Sequence, residues 1–142
     1  MLIAGSEICG AERDGAPVRG RIARVLVVDD ALYMRALLRA ILTEAGHVVV
    51  GEACTGRQAV VLCRLFHPDV VLMDLTMPEE DGFAAMGEIL ALGEGIRVII
   101  CTAMRFHRTL TEAIARGAWD FVTKPFKASV ILAAVERAVQ DR

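Results

Sequence analysis

Val25-Leu26-Val27-Val28-Asp29-Asp30 sets four branched aliphatic residues directly before two acids. A run that is apolar at every position, rather than at alternate ones, describes a strand covered on both faces, the habit of parallel sheets. Val70-Val71-Leu72-Met73-Asp74 repeats the pattern further on, again closed by an acid. Between the two, Met34, Leu37, Leu38, Ile41 and Ala45 fall at helical spacing, and Gly46 ends that helix as a C-terminal cap. His47 to Glu52 reads as a second strand, followed by a capping box of Thr55 and Gln58 ahead of Ala59, Val60, Leu62 and Cys63. His67-Pro68 stops this helix, because the residue before proline avoids helical backbone. Asp69 to Met73 is then the third strand, and the loop Thr76-Met77-Pro78-Glu79-Glu80-Asp81-Gly82 leads into a helix through Phe83, Met86, Ile89 and Leu90. Ile96 to Cys101 gives strand four, Phe106 to Arg116 a helix capped by Gly117, and Trp119 to Thr123 strand five. The last helix places Ile131, Ala134, Val135 and Ala138 on one face.

Strict alternation of five strands with five helices predicts an α/β fold: a doubly wound, five-stranded parallel sheet in the flavodoxin-like order 2-1-3-4-5. A length of 142 residues suits one domain, assigned to residues 23–142, with residues 1–22 an N-terminal tail expected to be disordered because it lacks any apolar period. Hydrophobic residues make up 55%, yet they are cut into runs far shorter than the roughly 18 needed for a membrane span. Sixteen Lys and Arg against 18 Asp and Glu leave a net charge of -2, without the basic footprint of a nucleic-acid binder. Neither a membrane nor a nucleic acid is therefore expected as a partner. The amino terminus lacks the basic start and long apolar stretch of a signal peptide, so a cytoplasmic location is expected; separately, the chain is expected to be a monomer. The four cysteines form no C-x-x-C pair; Cys63 and Cys101 read as core and Cys9 as tail.

Ligands of such sheets bind at the carboxyl ends of the strands, where Asp29, Asp30, Asp74, Thr102 and Lys124 all fall. Singly, a strand-end Asp is most often a cap or turn residue, and a Lys before Pro a solvated side chain. Five on one rim converge. Three gathered carboxylates repel one another and find relief in protonation or in a divalent cation; an all-oxygen donor set favours Mg²⁺ or Ca²⁺ over zinc, and so few carboxylates leave positions for water and substrate oxygens, as Mg²⁺ is usually held. A lysine and a threonine hydroxyl can both donate to phosphate oxygens. The combination reads as phosphoryl transfer to a carboxylate. An aspartate-nucleophile phosphatase would need D-x-D-x-T after strand one, where Asp29-Asp30-Ala31-Leu32 stands. A flavin-binding site would need a hydroxyl-rich phosphate loop there. Gly93-Glu94-Gly95 is too short and misplaced for a dinucleotide fingerprint, and His47, His67 and His107 share no ligand spacing.

Val25 to Asp30, Val70-Val71-Leu72-Met73-Asp74-Leu75-Thr76-Met77-Pro78 with Asp81-Gly82, and Thr123-Lys124-Pro125-Phe126 resemble, in that order, the receiver domains of two-component response regulators over about residues 23 to 140. The resemblance implies that Asp74 accepts a phosphoryl group from a histidine kinase, and that Asp29, Asp30, Asp74 and the backbone carbonyl of Thr76 hold Mg²⁺. It further implies that Thr102 and Lys124 bind the phosphoryl oxygens and that the Lys124-Pro125 peptide is cis. Phe121 matches the family's aromatic switch: Thr102 is drawn towards the phosphoryl group, Phe121 moves into the vacated space, and a partner reads the altered face. On this reading the chain is no enzyme beyond catalysing phosphotransfer to its own Asp and its own dephosphorylation. Leu32 and Lys127 depart from the family's small polar helix caps, and Phe121 lacks a tyrosine hydroxyl.

Only Asp141 and Arg142 follow the last helix, so the output is expected to come from binding. Cys101-Thr102-Ala103-Met104 and Gly117-Ala118-Trp119-Asp120-Phe121 resemble the stand-alone chemotaxis type, whose partner is the flagellar motor switch protein. Passing the phosphoryl group to a histidine phosphotransfer protein is the alternative output. Trp119 is expected to pack near the switch. Thr76 and Met104 occupy the family's positions beside the phosphoryl group that govern access of water, and an apolar Met104 should slow hydrolysis and leave the signal to be ended by a separate phosphatase. Met104→Glu is therefore expected to raise the dephosphorylation rate severalfold in a phosphate-release assay; an unchanged rate would remove Met104 from this role.

Overall fold

The computed structural model describes residues 21–75, 82–93, 95–103 and 107–140. In chain order these form β1 (Arg24–Val28), α1 (Leu32–Glu44), β2 (Val48–Ala53), α2 (Gly56–Phe66), β3 (Val70–Met73), α3 (Gly82–Ala91), β4 (Arg97–Ala103), α4 (His107–Ala115), β5 (Asp120–Lys124) and α5 (Ala128–Gln140). The strands are all parallel, in the order β2-β1-β3-β4-β5. This is the doubly wound arrangement that the alternation of runs predicts.

The unbroken apolar runs are explained by two cores, one on each face of the sheet. Leu26, Val28, Val71, Met73, Val98 and Ile100 meet Ala59, Cys63, Met86, Ile89 and Leu110 on one side. Their neighbours Val25, Val27, Val70, Leu72, Ile99 and Cys101 meet Met34, Leu38, Ile131 and Val135 on the other. Successive strand residues point to opposite faces, so a central strand flanked by helices has no polar position to offer.

Local signals act as the residues suggest, with adjustments. Gly46 has φ +93° after α1, a left-handed conformation that costs glycine little. The Thr55 hydroxyl accepts from Gln58 N–H at 3.1 Å, but the Gln58 side chain accepts from Cys54 N–H at 2.9 Å, one residue earlier than a standard capping box. In α1 the buried row is Met34, Leu38 and Leu42, while Leu37 is 45% exposed. Leu37 lies about 100° around the helix from Leu38, outside the stripe that meets the sheet. β4 and β5 run further than the apolar patches suggest, because Thr102 pairs with Thr123 and Ala103 with Lys124. Parallel pairing continues past the end of the hydrophobic pattern, and Thr102 and Lys124 thus stand inside the ladder.

Cys63 and Cys101 are buried, as expected of core thiols, and burial pushes both up to about 12. Residues 1–20, which include Cys9, lie outside the described residues. Arg21 is tied to the domain by a guanidinium hydrogen bond to the Val139 carbonyl at 3.1 Å. Among the described residues no helix is long and apolar enough to cross a membrane.

His47 is buried, and its Nδ1 accepts from Ala23 N–H at 3.0 Å. This acceptor role requires neutral imidazole, and burial lowers the His47 pKa from 6.5. Below that ordinary value the unfolded chain takes up the proton more readily than the fold does. The His47 contribution is therefore complete above 6.5 and is lost as pH falls towards the lowered folded value. In urea titrations from pH 7.5 to 5 (about the histidine range), the stability advantage of wild type over His47→Gln is expected to shrink steadily; a constant difference would exclude His47 as the titrating group.

Candidate functional site

Parallel register decides which side chains meet. Val28 of β1 pairs with Met73 of β3, so Asp29 and Asp74 leave adjacent strands at the same level. Backbone bonds hold them there: Asp29 N–H donates to Ala53 O and Asp74 N–H to Val28 O, both at 3.0 Å. Lys124 lies two strands beyond β3, about 10 Å away at the usual strand spacing, a gap closed by the lysine stem and the facing Asp side chains together. Its ammonium donates to Asp29 Oδ2 at 2.9 Å and to Asp74 Oδ2 at 3.2 Å. Burial alone would lower the Lys124 pKa, but the hydrogen bond to Asp29 and the charges of Asp74 and Asp29 outweigh it and raise the pKa. Lys124 stays charged.

Carboxylate oxygens of Asp29, Asp30 and Asp74 lie within 4.8 Å of one another, with Asp29 and Asp74 buried and Asp30 exposed. Among the described residues the cation that bonds these acids is Lys124. Hard oxygen donors in excess over their cationic partner fit a divalent ion such as Mg²⁺, and the exposure of Asp30 leaves the group open to solvent. The Thr76 carbonyl and Met104 lie outside the described residues.

Thr102 stands on β4, between the strands that carry Asp74 and Lys124. It is fully buried, and its Oγ1 has no hydrogen-bond partner among the described residues. A buried hydroxyl without a partner costs about 1–3 kcal/mol, so it marks a place where an acceptor is wanted. The structure thus gathers Asp29, Asp30, Asp74, Thr102 and Lys124 on one rim. Phe121, by contrast, stands 45% exposed on the edge strand β5. Trp119 does not pack at the cleft: its N–H donates to Val98 O near the start of β4, and the Arg97 guanidinium sits 3.7 Å from its ring centroid, at the opposite end of the sheet. The Lys124-Pro125 peptide is cis.

Gly82 starts α3 against the segment that follows Asp74. A Cβ there would stand 2.8 Å from Leu75 Cδ2 and 3.1 Å from its Cα, so only glycine permits this approach. Sequence reading missed Arg35, whose guanidinium donates to the Asp29 carbonyl at 2.7 Å. The signal was a basic residue near the start of a helix that has no acid in its first turn.

Residues 25–136 match the response regulator receiver domain, and the chain belongs to that family. It is 48% identical over 118 residues to Protein CcdB of Bacillus subtilis, covering 83% of this chain and 98% of that protein. It is 45% identical over 114 residues to Chemotaxis protein CheY of Thermotoga maritima, covering 80% and 95%. The crystal structure of the response regulator domain of Thermotoga maritima CheB superposes with a TM-score of 0.77 at 33% identity, covering 84% of this chain and 98% of that one. The chain is thus a response regulator receiver of the CheY-like type, the class of domain that works with histidine kinases and downstream targets.

Mg²⁺ is expected to raise the thermal midpoint, with stabilisation near 2.7 kcal/mol at about one hundred times the dissociation constant. Asp30→Asn should weaken Mg²⁺ affinity on the order of 10-fold, as loss of a ligand costs at least what loss of its support does, and so roughly halve the stabilisation at the same Mg²⁺ concentration. Equal Mg²⁺ titrations of the two proteins would take Asp30 out of the metal site.

Proposed function

We propose that Asp74 accepts a phosphoryl group from the phosphohistidine of a histidine kinase, and that the modified domain changes its affinity for a partner, the flagellar motor switch protein. The observation that carries this reading is the Lys124 ammonium shared by buried Asp29 and Asp74, one strand from the unpartnered Thr102 hydroxyl. Asp29, Asp30 and Asp74 would hold Mg²⁺, which when bound supplies neutralisation of charge on the phosphoryl oxygens. A carboxylate oxygen of Asp74 forms the new O–P bond as the N–P bond of phosphohistidine breaks, and the electron pair returns to the donor imidazole. An aspartyl phosphate results. Lys124 is already within hydrogen-bonding distance of Asp74 and pairs with the added oxygens, while Thr102 gains the acceptor it lacks.

Water later cleaves the aspartyl phosphate, returning the Asp74 carboxylate and inorganic phosphate. The domain acts on no other substrate; it catalyses its own phosphorylation and dephosphorylation, and a separate phosphatase speeds the second. Movement of Thr102 towards the phosphoryl oxygens opens space for Phe121, which stands 45% exposed without them. The switch transmits a signal only in so far as the partner binds the two states with different affinity. We place the protein in the cytoplasm as a monomer, where a kinase and the motor could both reach it. Likeness to CheY proteins, 45% identical in Thermotoga maritima and 43% in Bacillus subtilis, supports chemotaxis as the output.

The test is affinity for the N-terminal peptide of the flagellar switch protein, in Mg²⁺ alone and then with beryllofluoride, which mimics a phosphoryl group on Asp74. Wild type should bind about 10-fold more tightly with beryllofluoride, within the usual range for coupled sites, and Asp74→Asn should not respond. Acceptance of beryllofluoride without a gain in peptide affinity would exclude the motor and favour transfer to a histidine phosphotransfer protein.

A further inference from the structure

Asp30 is the exposed member of the acid cluster, and among the described residues nothing bonds its carboxylate. Asp29, in contrast, is fixed at every polar atom. Its N–H donates to Ala53 O at 3.0 Å, Oδ1 accepts from Ala31 N–H at 2.9 Å, and Oδ2 accepts from Lys124 at 2.9 Å. Its carbonyl accepts from Arg35 Nη1 at 2.7 Å. That carbonyl belongs to the peptide unit joining Asp29 to Asp30. A planar peptide held at its oxygen sets the direction in which the next Cα and side chain leave.

Arg35 is itself held. Its Nε donates to Glu52 Oε1 on β2 at 3.3 Å, and Arg39 shares the same carboxylate through Oε2. The Arg35 side chain is only 16% exposed and that of Glu52 26%. A cation in the first four residues of a helix opposes the helix dipole, so helix stability does not explain it. Nor does capping, since the N-cap Ala31 makes no side-chain bond.

We propose that Arg35 is a positioning residue for the metal site: locked by Glu52, it holds the Asp29–Asp30 peptide so that Asp30 faces Asp29 and Asp74. This rests on the reading of those acids as Mg²⁺ ligands. Two roles of Arg35 predict opposite signs. A guanidinium that acts only by its charge repels Mg²⁺, and removing it tightens binding. One that orients a ligand improves binding, and removing it weakens binding despite the lost repulsion.

Mg²⁺ affinity is to be measured by calorimetric titration of the intact chain, with the beryllofluoride response as a second readout. Arg35→Met is expected to weaken Mg²⁺ about 10-fold, the lower end of the usual effect of support residues. Arg39→Ala, which loses contact with the same Glu52 but never touches Asp29, should stay within about 2-fold of wild type. Arg35→Lys keeps the charge but not the two-armed geometry, and should fall between wild type and Arg35→Met. Should Arg35→Met fail to fold, Arg35→Lys decides: affinity equal to wild type overturns the proposal. Unchanged or tighter binding by a folded Arg35→Met overturns it also. Wild type that binds no Mg²⁺ would overturn the metal reading itself, a result distinct from wild type that binds and Arg35 variants that match it.

Discussion

The ammonium of Lys124 bonds carboxylates that belong to two other strands, and the carboxyl end of the sheet depends on that bridge. Without a cation between them, Asp29 and Asp74 would be buried acids on adjacent strands with charges of one sign. Leaving one buried charge uncompensated typically costs about 3–5 kcal/mol. The bridge can form only because β1, β3, β4 and β5 are in parallel register, with Val28 level with Met73 and Ala103 level with Lys124. Because both faces of these strands are apolar, a one-residue slip would exchange one for the other, so register is set by packing against the helices and by where each apolar run meets its polar end. Thus the valines and isoleucines of the core fix the geometry of the polar rim.

The same bridge leaves the site unfinished. Among the described residues Lys124 is the cation that bonds the acid cluster, and the Thr102 hydroxyl is buried without a partner. A fold selected only for stability would remove either feature, since an unpaired hydroxyl and clustered like charges both cost free energy. Each defect is relieved by one half of the same ligand set: a divalent cation for the acids, anionic oxygens for the hydroxyl and ammonium. A site with room for a cation beside donors for an anion is what the proposed phosphoryl transfer would require.

Much of this was legible in the sequence because the decisive signals are short-range. Unbroken aliphatic runs marked the strands, acids marked their ends, and Gly46 and His67-Pro68 marked helix stops. What was not legible depends on tertiary contact. Leu37 fits the helical period as well as Leu42 does, and only the position of the sheet decides that Leu42 is buried. The ends of β4 and β5 follow from pairing between two segments, which no single segment encodes. Trp119 looked like strand packing near the switch, but the strand begins one residue later and leaves it stacked on Arg97 at the far end. Arg35 was passed over because its partners, Asp29 and Glu52, lie on two different strands.

Several local rules fail at the carboxyl end of the sheet. α1 starts on Ala31 without a side-chain cap, Arg35 opposes the helix dipole, and Thr102 lacks a partner, all close to the acid cluster. α2 starts at the same end with the Thr55 hydroxyl accepting from Gln58 N–H, and at the far end its C-cap His67 adopts φ +48° while its carbonyl accepts from Arg24 at 2.7 Å. Departures from local preference that gather where side chains converge are the mark of a functional constraint, and stability elsewhere must offset them. The two-sided core supplies that margin. It also separates tasks: the paired strands carry the acids and the lysine, while Phe121 stands exposed on an edge strand, outside both cores.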